Sequence, residues 1–177
     1  LPQPFITSVF TLSSHHPYTV PSSHAGRFRK GPLKVHETIS YADFALRRFF
    51  EEARKQPWFE NTLFVLVADH TPEPETDKYQ GNVGIYEIPI VFYRPNGELR
   101  EHRQEIVQQI DILPTVLDLL NYPHEYFAFG SSPFGEKNED RFAISYMSGI
   151  YQVITKNFAL HSSGDKTLGL FNYVKDP

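Results

Sequence analysis

The amino-acid sequence predicts an α/β fold: a sheet flanked by helices, with a C-terminal antiparallel β addition. Three observations predict it. Apolar, β-branched runs alternate with a helical pattern over the first two-thirds of the chain. One run, Thr62–Ala68, is apolar without a break, the mark of a strand covered on both faces. From residue 122 onward, short strand-like segments follow one another with turn residues between them.

The elements follow in order. Phe5-Ile-Thr-Ser-Val-Phe-Thr11 is apolar and β-branched and predicts a strand. His, Pro, Ser and Gly between Ser13 and Pro32 predict a loop. A helix is predicted over Val35–Lys55, with Ala42, Ala45, Leu46, Phe49, Phe50 and Ala53 on one face. Asp43, Arg47, Glu51 and Arg54 fall on the other side, and Gln56-Pro57 stops the helix. After the Thr62–Ala68 strand comes a polar loop, Thr71–Gly84. Ile88–Tyr93 predicts the next strand, with Pro89 at its start or on an edge because proline lacks an amide donor. Pro95-Asn-Gly97 makes a turn. Gln104–Leu120 begins as a linker and becomes a helix, with Asp111 as its cap and Pro114 in its first turn. Pro123–Asp140 reads as a loop rich in Gly, Pro and aromatics. The Tyr and Phe cluster Tyr122–Phe134 within it predicts core packing rather than a substrate platform. Phe142–Met147 and Tyr151–Thr155 predict a hairpin through Ser148-Gly149, and Phe158–Leu160 and Leu168–Phe171 further short strands.

Composition bounds the function. The chain has 177 residues, 40% hydrophobic and 21% charged, a globular balance for one domain. Fifteen Phe and ten Tyr favour a sheet-containing core. A net charge of −4 implies no broad basic surface and argues against nucleic acid as a partner. Without cysteine, the chain holds no disulfide and no Cys-based zinc site. No apolar run approaches the roughly 18 residues of a membrane span, and no signal peptide is present. The start at Leu1, with strand-like residues at once, suggests a cut inside a larger protein, and processing would leave the same start.

The strongest chemical signal is Val65-Leu-Val-Ala-Asp-His70, an Asp and a His at the carboxyl end of a buried-type strand. Ligand sites of open α/β sheets form at that end. A carboxylate beside an imidazole suits Zn²⁺ or Mn²⁺, which take mixed O and N ligands. The bland alternative is an Asp in a turn with a surface His. The second signal is Thr11-Leu-Ser-Ser-His-His-Pro-Tyr18, whose imidazoles could bind a phosphate or sulfate oxygen, a metal, or only water. His24, His36, His102, His124 and His161 read as surface or structural. The acidic loop Glu73–Asp77 reads as solvated rather than cation-binding. Arg27, Arg29 and Lys30 form a small basic patch that faces either an anionic substrate or solvent. There is no G-x-S-x-G elbow, Walker loop or ordered Ser-His-Asp set.

Four segments also occur in a telling order: Tyr41-Ala-Asp-Phe-Ala-Leu-Arg-Arg-Phe-Phe50, Trp58-Phe-Glu-Asn-Thr-Leu-Phe-Val-Leu-Val-Ala-Asp-His-Thr71, Ile88-Pro-Ile-Val-Phe-Tyr93 and Gln109-Ile-Asp-Ile-Leu-Pro-Thr-Val-Leu-Asp-Leu-Leu120. Together they resemble the C-terminal half of the sulfatase domain of lipoteichoic acid synthase-like proteins, in the alkaline phosphatase superfamily. The match runs to the closing Leu170-Phe-Asn-Tyr-Val-Lys-Asp-Pro177. It implies that residues 1–177 are the C-terminal portion of one sulfatase-like catalytic domain, with 1–121 its α/β part and 122–177 its β-rich terminal part. The sheet would then be a partial alkaline phosphatase/sulfatase-like one.

The resemblance implies roles for individual residues. Asp69 and His70 match the pair that binds a catalytic divalent metal, Mn in the lipoteichoic acid synthases, with Zn, Mg or Ca as alternatives. His15 matches the His of the family's Thr-Leu-x-x-His-x-Pro-aromatic segment, which contacts the substrate phosphate. His16 occupies a variable position, and Ser14 stands where those synthases often carry Asn. A further acidic ligand and the nucleophile, Thr in the synthases or a Cys-derived formylglycine in sulfatases, lie upstream of Leu1 in that family. The isolated chain is therefore expected to be inactive. The intact protein is expected to be a phosphoglycerol-type transferase working through a covalent enzyme intermediate. It would sit on the extracytoplasmic side of a bacterial membrane, anchored by segments absent from this chain. Its substrate would be an anionic phosphate or sulfate ester, with a lipid head group as one option. A sulfatase or phosphodiesterase hydrolase is the alternative, and a non-catalytic sulfatase-like binding domain a further one.

Overall fold

The computed structural model describes residues 4–135 and 140–175. Residues 136–139 of the predicted Pro123–Asp140 loop, and the last two of the closing segment, lie outside the described residues. The chain has an α/β fold. Its elements run α1 (Val35–Ala53), β1 (Phe64–Val67), β2 (Ile90–Tyr93), α2 (Ile112–Leu119), β3 (Ala143–Met147), β4 (Ile150–Ile154), β5 (Ala159–Ser162) and β6 (Thr167–Phe171). β1 and β2 form a two-stranded sheet, and β3-β4-β5-β6 a four-stranded antiparallel sheet in sequence order. The polypeptide divides into two compact units. One takes the chain up to Val65 with Pro72–Glu75 and Phe92–Leu99; the other takes Leu66–Thr71, Thr76–Val91 and the chain from Arg100 on.

The first unit is held by aromatic packing. α1 covers the predicted helix, and Arg54 N–H closes its last turn on the Phe50 carbonyl at 3.0 Å. Its two ends are buried at Val35, Thr38 and Ala53, and Thr38 satisfies its hydroxyl on the Val35 carbonyl at 2.9 Å. The middle of the predicted apolar face is open, with Leu46 and Phe49 exposed. Phe64 is the hub at the helix end. Its ring lies 5.1 Å from Phe50, 5.5 Å from Phe59 and 5.9 Å from Tyr93. All three contacts are tilted, one of the arrangements that ring quadrupoles favour over a face-to-face sandwich. Phe59 is buried among these rings.

Two expectations fail here. Phe5–Thr11 joins no ladder among the described residues, and Ile6 is 96% exposed. β-branched residues mark a segment suited to a sheet, but a strand also needs a neighbour's N–H and C=O groups. Phe5 instead sets its ring edge-on to Trp58 at 5.9 Å. The Thr62–Ala68 run is also shorter as a strand. Thr62 turns back, donating its hydroxyl to the Trp58 carbonyl at 2.6 Å. β1 is half-buried rather than covered on both faces, and its Val67 is exposed. Continuous apolarity shows what a strand could bury, not what is there to bury it. Pro89 does precede β2, as its missing donor requires, and its carbonyl accepts Ala68 N–H at 3.4 Å.

The second unit is organised by polar contacts. Asp111, 2% exposed, does not cap α2 with its side chain. It stands at the N-cap position directly before Ile112, as the last residue of a 3-10 turn Gln109–Asp111, and its Oδ2 accepts Gln108 N–H at 3.0 Å. Ser131 N–H donates to Oδ1 at 2.9 Å, and the Arg141 guanidinium to Oδ2 at 2.8 Å. Arg141 Nε also donates to the Ile106 carbonyl at 2.8 Å. This knot joins α2 to the segment that leads into β3. Ser148 and Gly149, with φ of 55° and 85°, make the β3–β4 hairpin turn with the left-handed backbone it needs. In the sheet, buried Gln152 donates to the Asn82 carbonyl at 2.9 Å and to His161 Nε2 at 2.7 Å.

The aromatic cluster Tyr122–Phe134 is not core. Phe127 is 78% exposed and Phe129 87%. These two rings pack on each other at 5.0 Å, and Tyr122 packs on Tyr126 at 6.2 Å. Aromatic content alone does not decide burial; the loop that carries these rings turns them towards one another.

Candidate functional site

β1 ends at Val67, and Asp69 and His70 follow within two to three residues. Both side chains are open to solvent, at 55% and 73%. Asp69 Oδ1 accepts the His70 backbone N–H at 2.9 Å, which curls the turn and brings the two side chains together. His70 Nδ1 lies 2.8 Å from the Thr71 carbonyl. A carbonyl can only accept, so Nδ1 carries the proton and the neutral ring keeps its lone pair on Nε2. Nε2 lies 3.6 Å from Asp69 Oδ2. Donor atoms at that separation, with bonds of about 2.0–2.2 Å to a shared cation, would subtend roughly 110–130°. The pair thus fits a divalent cation in donor type, tautomer and spacing. A four-coordinate site needs donors beyond these two, and among the described residues no group of three His, Asp or Glu side chains could hold a metal.

A residue far away in sequence supports this turn. The Gln109 amide nitrogen donates to the Ala68 and Asp69 carbonyls, each at 3.0 Å. Thr71 is tied through its hydroxyl to the Ile85 carbonyl. Sequence reasoning missed Gln109 as a neighbour of the pair. It lies about forty residues on, and nothing local links the two segments.

His15 belongs to the first unit. Its N–H donates to the Leu12 carbonyl at 3.1 Å, and its own carbonyl accepts Tyr18 N–H at 2.9 Å, so it sits in a tight turn. The ring is exposed and donates from Nδ1 to the His16 carbonyl at 2.8 Å.

The other candidates resolve into structural roles. His24 packs among Phe28, Tyr41 and Phe44. His36 accepts Leu33 N–H on Nδ1 at 3.4 Å, and its Nε2 lies 3.2 Å from Glu75 of the acidic loop. His161 takes the Gln152 amide. Of the basic patch, Arg27 lies over the Phe44 ring at 5.4 Å and Lys30 is 3.9 Å from Glu37.

The fold has a solved counterpart. It matches a protein in the alkaline phosphatase superfamily from Vibrio parahaemolyticus with a TM-score of 0.74 and 23% identity, over 90% of this chain and 39% of that one. The family follows from the sequence. The sulfatase family model matches residues 1–122, and the chain belongs to the sulfatase family. It is similar to lipoteichoic acid synthase 1 of Bacillus subtilis (strain 168), 25% identical over 162 residues, which cover 81% of this chain and 25% of that protein. The lipoteichoic acid synthase of Staphylococcus aureus (strain USA300) is 23% identical over 172 residues, 88% of this chain and 26% of that protein. The chain thus spans about a quarter of the length of these relatives.

Proposed function

We propose that this chain is the C-terminal part of a metal-dependent enzyme domain that transfers a phosphoglycerol-type group from an anionic phosphate ester, through a covalent enzyme intermediate. The nucleophile would come from outside these residues. The observation that carries the reading is the Asp69–His70 turn, with a lone pair on His70 Nε2 set 3.6 Å from Asp69 Oδ2. These two atoms would hold the cation, with manganese as the first choice and Zn, Mg or Ca as alternatives. When bound, such a cation supplies positive charge beside the ester oxygens and lowers the pKa of a coordinated hydroxyl.

The chain's own residues would do the rest. Asp69 uses Oδ1 on the His70 amide, so its Oδ2 remains the outward ligand. His15 spends its Nδ1 proton on the His16 carbonyl. It would therefore donate to a phosphate oxygen from Nε2 only as an imidazolium, and so bring a positive charge to the substrate as well as a hydrogen bond. Similarity to two lipoteichoic acid synthases favours transfer to an acceptor hydroxyl over hydrolysis. The family's own description favours the second reading, a sulfatase or phosphodiesterase that passes the group to water. We place the catalytic domain on the extracytoplasmic side of a bacterial membrane. Among the described residues no helix is long and apolar enough to cross one, so anchoring would fall to other segments.

The test is Asp69→Ala in the intact protein, with Mn²⁺ binding followed by electron paramagnetic resonance and turnover followed on a chromogenic phosphodiester. Both should be lost. Mn²⁺ affinity equal to that of the parent would sink the metal assignment.

A further inference from the structure

Asp69 and His70 lie just beyond the end of β1, on an exposed turn. Their spacing therefore depends on the backbone of that turn, and one side chain grips it from outside. We propose that Gln109 is a positioning residue that fixes the Asp69–His70 turn in its cation-binding geometry. The proposal rests on the reading that this pair holds a cation.

The geometry is specific. The amide nitrogen of Gln109 is 3.0 Å from the Ala68 carbonyl and 3.0 Å from the Asp69 carbonyl. A carbonyl can only accept, so this NH₂ group donates to both ends of the Asp69 residue. The Ala68 carbonyl belongs to the peptide plane that enters the Asp69 Cα, and the Asp69 carbonyl to the plane that leaves it. Peptide planes are rigid, so holding the oxygen of each restrains φ and ψ of Asp69, and with them its Cα–Cβ direction. The second plane also contains His70 N, whose hydrogen goes to Asp69 Oδ1 at 2.9 Å. One amide thus restrains the backbone that carries both proposed ligands.

Gln109 is itself well held. It opens the 3-10 turn that Gln108 and Asp111 cap reciprocally, and Asp111 is locked to Arg141 at 2.8 Å. Besides capping the turn, Gln108 accepts Ile144 N–H of β3 on its side-chain oxygen at 3.1 Å. Two adjacent glutamines thus do different work. Gln108 ties the turn to the C-terminal sheet, whereas Gln109 reaches the proposed site. The contact of Gln109 is exposed, so water can replace its hydrogen bonds without leaving buried carbonyls unsatisfied. Removing it should cost orientation rather than folding.

The experiment measures Mn²⁺ binding to the intact protein by electron paramagnetic resonance, with thermal unfolding alongside. Gln109→Met keeps the length and removes both donors. Mn²⁺ should bind about tenfold more weakly, the lower end of what partners that orient ligands contribute. The ¹⁴N modulation that the His70 ring imprints on the Mn²⁺ spin echo should change, and the melting temperature should stay within about 2 °C. Gln108→Met should do the reverse, lowering the melting temperature while leaving affinity within about twofold. If Gln109→Met does not fold, Gln109→Asn keeps the amide but cannot reach both carbonyls, and should weaken binding alike. Mn²⁺ affinity and echo modulation unchanged in the Gln109 variants, with binding lost in Asp69→Ala, would overturn the clamp alone. Binding unchanged in Asp69→Ala would overturn the cation site and the clamp with it.

Discussion

Two aspartates of the second unit sit in opposite environments. Asp111 is 2% exposed and accepts hydrogen bonds from Gln108, Ser131 and Arg141 on its two oxygens. Asp69 has a side chain 55% exposed, with one oxygen on the His70 amide and the other facing the His70 ring nitrogen. The first carboxylate is committed to the fold. The second keeps its capacity to accept directed towards an open turn. A carboxylate that must receive a ligand cannot be fully occupied by its own protein, and one that must hold a fold cannot be left half-free in the interior.

The comparison can be broken most forcefully at Asp111. Asp111→Ala leaves the Arg141 charge, 9% exposed, without its partner, which should destabilise the protein by about 3–5 kcal/mol. Equilibrium urea unfolding measures this, and a loss below about 1 kcal/mol would mean that the knot is ornamental. Gly130→Ala should cost less, about 1–3 kcal/mol. A Cβ there would meet the Ile110 carbonyl oxygen and come within 2.6 Å of Asp111 Oδ1, so the knot must open to admit it. Asp69→Ala should change unfolding by no more than about 0.5 kcal/mol, as at other surface positions, while Mn²⁺ binding disappears. A large stability loss there would erase the distinction between the two aspartates.

Tyr173 offers the finest test, because its neutral form is the one the fold holds. Its single hydroxyl proton goes to the Thr155 carbonyl at 2.6 Å and is shared with the Lys156 carbonyl at 3.0 Å. Burial pushes its pKa up, and the negative charge of Glu87 adds to the shift. The folded protein therefore holds this proton more tightly than the unfolded chain does. The resulting stability is present below the unfolded value of about 10 and is lost as pH rises through the higher folded value. Urea midpoints from pH 8 to 11 should fall on the alkaline side in the parent and fall less in Tyr173→Phe. Identical slopes would remove Tyr173 from the account.

Much of the fold was legible because local patterns encode it. α1 runs from Val35 to Ala53, close to the predicted Val35–Lys55. The Ser148-Gly149 hairpin forms where turn chemistry requires it, and Pro89 stands just ahead of β2. The failures share one cause. Phe5–Thr11, the doubly covered Thr62–Ala68 strand and the Tyr122–Phe134 core were each read from composition, and each depended on what lies opposite in space. Asp69 and His70 were legible as candidates because a strand end followed by two ligating side chains is a local feature. Gln109 was not, because its partners lie about forty residues back in the chain.

Spacing along the chain encodes the α/β class, the order of helix and strand, the four ordered segments that resemble the sulfatase domain, and the neighbouring carboxylate and imidazole. Backbone geometry converts that spacing directly into helices, turns and side-by-side residues. Folding in space is what locks Asp111 to Arg141, leaves the His70 lone pair on the atom facing Asp69, and brings Gln109 onto the Asp69 turn. Hydrogen-bond partners are chosen by distance in space, and thirty to forty residues of intervening chain carry no record of that distance.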